Sequence, residues 1–133
     1  MSVPAPKLPA PKIPGPDHPI TIQPTIDRVT VKFAGQTIAE SNRALTLREA
    51  SYAPVQYIPK GDVKMDLLAP TSHKTHCPYK GDASYFTIKA GGRIAENAVW
   101  CYEAPYPAMK EIAGHVAFYP DRVDAIEVKK VAP

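Results

Sequence analysis

From residue 28 onward, apolar and polar positions alternate along much of the chain. Val29, Val31 and Phe33 alternate with Thr30 and Lys32, which puts the two sets on opposite faces of a strand. Ala34-Gly35 and then Thr37-Ile38-Ala39 turn this strand into a hairpin. Residues 44–50 fit a strand or a helix, and the strand is preferred. Val55-Gln56-Tyr57-Ile58 is a strand between Pro54 and Pro59, followed by a turn at Lys60-Gly61-Asp62. Residues 63–68 read as a short helical turn or a strand end. Residues 83–89 form a strand, Gly91-Gly92 supplies a two-residue hairpin turn, and residues 93–95 and 98–102 return. Pro105-Tyr106-Pro107 breaks the pattern, and residues 108–113 form one short helix stopped by Gly114. Residues 116–119 and 123–128 close the chain as strands. Short strands and turns at this spacing predict an all-β domain, not βαβ units.

The first 24 residues differ, because they hold eight of the sixteen prolines. Ala5-Pro6-Lys7-Leu8-Pro9 is echoed by Ala10-Pro11-Lys12-Ile13-Pro14. Proline fixes φ and removes a backbone donor, so this segment is expected to be extended. It divides the chain into a Pro-rich strap, residues 1–24, and a single β-rich domain, residues 25–133. The strap lies over the domain or offers a P-x-x-P ligand to a partner.

Composition narrows the classes. With 133 residues, 44% hydrophobic and 22% charged, the chain can bury a core of its own. A net charge of +3 and a pI near 8.8, with no basic run longer than Lys129-Lys130, argue against a nucleic-acid partner. No apolar run approaches the roughly 20 residues that span a bilayer, so no membrane partner is expected. A cytoplasmic location is the expectation, and Cys77 and Cys101 are then expected as reduced thiols, with a bridge between them as the alternative in an oxidising compartment. Two cysteines cannot build a zinc site on paired C-x-x-C knuckles.

The densest chemistry lies in residues 72–82, Ser-His-Lys-Thr-His-Cys-Pro-Tyr-Lys-Gly-Asp, which we place in a loop. Lys74 and Lys80 flank Cys77, and nearby positive charge favours a thiolate. His76 is the candidate acid or base. Neighbours in an extended chain face opposite ways, however, so His76 and Cys77 are not a pair by adjacency, and a buried structural thiol is the simpler reading. His73, His76, Cys77 and His115 match no standard metal spacing, and no metal or cofactor is assigned. Lys80-Gly81-Asp82-Ala83-Ser84 lacks the phosphate-loop pattern, although Arg43 and Arg48 could complete an anion clamp. Asp121 and Asp124 form no D-x-D, and Asp121-Arg122 reads as a turn with a local ion pair. Trp100, Tyr102, Tyr106, Phe118, Tyr119, Tyr57 and Tyr85 are mostly core or half-buried strand aromatics, and tyrosines with their polar tips often line pockets.

Several segments carry a resemblance: Ser41-Asn42-Arg43-Ala44-Leu45, Pro54-Val55-Gln56-Tyr57-Ile58-Pro59, Ala98-Val99-Trp100-Cys101-Tyr102 and above all Cys77-Pro78-Tyr79-Lys80-Gly81. Through them the chain resembles the domain of unknown function 427 family. The resemblance implies a β-tent architecture, similar to methionine sulfoxide reductase B and the ligand-binding domain of cereblon. Those relatives hold zinc on two C-x-x-C pairs that this chain lacks, so zinc does not carry over. The family's nucleotidyltransferase-like label has no carboxylate pattern here to support it, and fold analogy alone does not license a function.

The reading is a mainly β, β-tent-like domain of two antiparallel sheets with one short helix. Its expected role is a binding or enzymatic pocket for a small anionic or nucleotide-like ligand. Arg43, Arg48 and Lys80 would hold the anion, Tyr57 and Trp100 the flat or apolar part, and Glu49 would add a polar contact, with Tyr85 also lining the pocket and His76 and Cys77 as candidate catalytic groups. The alternatives are an interaction module using the strap or sheet edges, and thiol chemistry at Cys77. A homo-oligomer is compatible with either.

Overall fold

The structure, a computed structural model, describes residues 10–130. The first copy of the proline repeat, residues 5–9, lies outside the described residues. The chain is mainly β, with two antiparallel sheets of seven and three strands. The expected hairpin is β2 (Arg28–Phe33) and β3 (Gln36–Ser41), turning at Ala34 and Gly35, both at positive φ. It forms the small sheet with β10 (Ala125–Lys129), in the order β10-β2-β3.

The large sheet begins inside the expected strap. β1 (Ile20–Pro24) pairs with β4 (Leu45–Glu49), Ile20 opposite Glu49 and Pro24 opposite Leu45. Pro24 fits because β1 is an edge strand. β5 (Val55–Pro59), β9 (His115–Phe118), β8 (Arg93–Cys101), β7 (Gly81–Ala90) and β6 (Leu68–Cys77) complete the order β1-β4-β5-β9-β8-β7-β6.

The expected loop at residues 72–82 is mostly strand. Lys74, Thr75, His76 and Cys77 pair with Ser84, Ala83, Asp82 and Gly81, and only residues 78–80 form the turn. The polar composition has a physical reason: β6 is an edge strand, where charge and proline discourage pairing with other chains. The expected helix is a 3-10 segment, Pro107–Ile112, kinked at Met109. Asp121 and Arg122 form no ion pair with each other; the Arg122 guanidinium donates to the Glu96 carbonyl at 2.5 Å instead.

Alternation divides the large sheet between two cores. Ile58, Val99, Val116 and Phe118 face the small sheet and pack on Val29, Val31, Phe33 and Ile38. Their neighbours Tyr57, Trp100, Tyr102, Ala117 and Tyr119 face the other way, where Met109 and Ile112 of the 3-10 segment join them. Apolar runs such as residues 98–102 are therefore strands covered on both faces.

The sheets are tied where two turns meet. Asp124 accepts from the Ala34 N–H at 2.7 Å and from Arg93 at 2.8 Å. A Cβ on Gly91 would lie 2.8 Å from that of Ala34, whereas one on Gly92 meets open space. Both glycines sit at positive φ. Gly92→Ala should cost about 1–2 kcal/mol of left-handed backbone strain. Gly91→Ala should cost a further 1–3 kcal/mol or so from overpacking. Urea unfolding of the two variants measures the difference, and equal losses would mean that the turns do not press on each other.

Candidate functional site

The second face of the large sheet holds a cavity of about 260 Å³. Tyr57, Tyr85, Trp100, Tyr102 and Tyr119 line it, with Glu49 and Lys80 at one end and Tyr52 at the rim. Their alignment follows from strand period. Trp100 on β8 and Tyr102 just past its end stand two positions apart, and Leu47 and Glu49 share a face of β4.

Lys80 is the one buried charged residue among those described, 6% exposed. A buried ammonium needs a counter-charge, and Lys80 donates to Glu49 Oε1 in an ion pair. The other Glu49 oxygen accepts from His18 Nε2 at 2.7 Å. The His18 ring lies flat on Tyr79, with centroids 4.2 Å apart. Next to it the Lys12 N–H donates to the Pro78 carbonyl at 2.9 Å. Residues 12–18 therefore bind the 78–80 turn through backbone, ring and charge. Burial pushes the Glu49 carboxyl up, but hydrogen bonds and charge from Lys80 and His18 outweigh it and hold the carboxyl below its ordinary value.

The aromatic wall is polar at its tips. The Trp100 indole donates to the Tyr57 hydroxyl at 3.2 Å. The Tyr85 hydroxyl lies 2.9 Å from that of Thr75 and 3.4 Å from that of Tyr119. Trp100 and Tyr119 pack with centroids 4.5 Å apart. Burial raises Tyr57 and Tyr102 above the ordinary phenol value, and burial with the Tyr85 contact pushes Tyr119 up to about 12. All three remain protonated donors near neutral pH.

Of the residues expected to form the site, the fold brings Glu49, Tyr57, Lys80, Tyr85 and Trp100 into one cavity. Cys77 stands beside it, its sulfur 3.7 Å from Lys80 Nζ, and both cysteines are free thiols. Arg43, His76 and Arg48 lie elsewhere. Arg43 is held by both oxygens of Asp62, at 2.9 and 3.2 Å. His76 is exposed on the β6–β7 hairpin, bonded to Asp82 at 2.7 Å. Arg48 is exposed, on the face of β4 opposite Glu49. Sequence reasoning did not single out His18, whose partner is 31 positions away. A broader trough of about 870 Å³ over β6, β7 and β8 is walled mostly by exposed side chains such as His73, Lys74 and Glu96. Among the described residues no His, Cys, Asp and Glu cluster could hold a metal, and no helix is long and apolar enough to cross a membrane.

The family model described as "Domain of unknown function (DUF427)" matches residues 21–129. No curated protein matches the chain.

Glu49→Gln leaves Lys80 buried without its counter-charge, and should cost about 3 kcal/mol at neutral pH. Because the folded carboxyl titrates below its unfolded value, its stabilisation is present above pH ~4.3 and is lost as pH falls through the folded pKa. Urea unfolding of both proteins from pH 7 to pH 3 should therefore show the gap between them closing in acid. A gap that stays constant would show that Glu49 is not the charge that matters.

Proposed function

Because the chain belongs to the domain of unknown function 427 family, whose description assigns no activity, we propose from its own geometry that the tyrosine-lined cavity binds a small, flat molecule. The observation that carries this reading is the buried Lys80–Glu49 pair at the end of an aromatic-walled cavity. Trp100 and Tyr119, packed on each other, present a rigid aromatic surface against which a ring can pack. A few fixed polar groups among apolar walls are the usual composition of a ligand site.

Size limits the ligand. Sites for drug-sized molecules start near 300 Å³, so a cavity of about 260 Å³ suits one ring with a substituent. The anionic or nucleotide-like ligand expected from sequence narrows accordingly. A whole nucleotide overfills the space, and neither Arg43, held by Asp62, nor Arg48, on the other face of β4, lines the cavity to grip its phosphates. A nucleobase-sized ring or a small aromatic acid fits. His76 and Cys77 do not line the cavity, so binding is the role that the geometry favours over acid–base or thiol chemistry.

Trp100 is the single tryptophan and lines the cavity, so its emission reports on occupancy. A panel of nucleobases, nucleosides and single-ring aromatic acids should contain compounds that change Trp100 emission and raise Tm. At 100-fold excess over Kd the stabilisation is about 2.7 kcal/mol. Tyr119→Ala, at a half-buried wall position, should abolish the response while leaving the protein folded. No change in emission or Tm with any compound would contradict the proposal.

A further inference from the structure

Three hydrogen-bond donors that line the cavity are unused by the described residues of the protein. Tyr102 is 93% buried by its 7% exposure, and its hydroxyl has no partner among the described residues. Among the described residues no enclosed polar side-chain atom lacks a partner, so this hydroxyl is not fully enclosed, and Tyr102 lines the cavity. Tyr57, 1% exposed, accepts from Trp100, and its own proton has no acceptor among the described residues. Lys80 uses two of its three N–H groups, on Glu49 and on the Cys77 sulfur. On the acceptor side, both Glu49 oxygens are already engaged, one by Lys80 and one by His18.

Resting on the cavity being a ligand site, we infer that its ligand is a small planar monocarboxylate. An ionised carboxylate only accepts, through two oxygens with about four lone-pair directions. It can take the protons of Tyr57, Tyr102 and Lys80 together, and the Lys80 bond is charge-assisted. The ring that carries it packs on Trp100 and Tyr119. Lys80 carries the positive charge next to Glu49, and His18 occupies the other Glu49 oxygen. A carboxamide of the same shape carries no charge, so its bond to Lys80 is weaker than that of the ionised carboxylate.

The test is isothermal titration calorimetry at pH 7 with benzoate and nicotinate, each beside its carboxamide. At least one acid should bind at least about tenfold more tightly than its amide, the equivalent of one charge-assisted hydrogen bond. Tyr102→Phe should weaken that acid about tenfold while leaving the Tm unchanged, because the hydroxyl has no protein partner among the described residues to lose. Tyr57→Phe should act in the same direction. The inference is overturned if both amides bind as tightly as their acids, if neither acid binds, or if neither phenylalanine variant alters acid affinity. Amides that bind as tightly as their acids and change Trp100 emission would overturn the carboxylate alone. If no ring of either kind changes Trp100 emission, the ligand site itself fails.

Discussion

The ion pair between Lys80 and Glu49 is the constraint on which the rest of the molecule turns. Removing an ammonium from water costs several kcal/mol, which only a well-placed counter-charge offsets. Glu49 closes β4 and Lys80 precedes β7, and four strand spacings separate these strands in the large sheet. In a flat sheet that is about 19 Å. The contact therefore requires the sheet to curl until its far strands approach across one face. The cavity is the space enclosed by that curl. The same approach brings residues 12–18 against the 78–80 turn, where the His18–Tyr79 stack and the Lys12–Pro78 bond hold it closed.

Alternation along five strands then separates stability from chemistry. On β5, β8 and β9, one set of side chains fills the space between the sheets with Ile58, Val99, Val116 and Phe118. The intervening set, Tyr57, Trp100, Tyr102 and Tyr119, is amphipathic and builds the cavity wall. Tyrosine suits this place because its ring packs while its hydroxyl reaches into the cavity. The Asp124 clasp secures the small sheet well away from the cavity, through the turns at Ala34 and Gly91.

Local pattern made much of the fold legible, and charge pairing made little of the site so. Period two located β2 and β3, and Gly91-Gly92 marked the β7–β8 turn correctly. The His/Cys segment read as a loop because its side chains are polar, and polarity marks an edge strand as well as a loop. Glu49, Tyr57, Lys80, Tyr85 and Trp100 were recognisable as a group by residue type. Arg43 and Arg48 were chosen by charge alone, but Asp62 holds the first and strand period turns the second outward. His18 meets Glu49 only through tertiary curl, which no local pattern encodes.

The most direct test of this account is a double-mutant cycle on the pair itself, with Glu49→Leu, Lys80→Met and the double variant compared by urea unfolding. Each single change leaves one charge without its partner, whereas the double change leaves two apolar side chains of similar length. The account predicts a double variant that loses clearly less than either single one, with a coupling of about 2 kcal/mol or more. Losses that simply add, with coupling near zero, would contradict the claim that this pair closes the cavity.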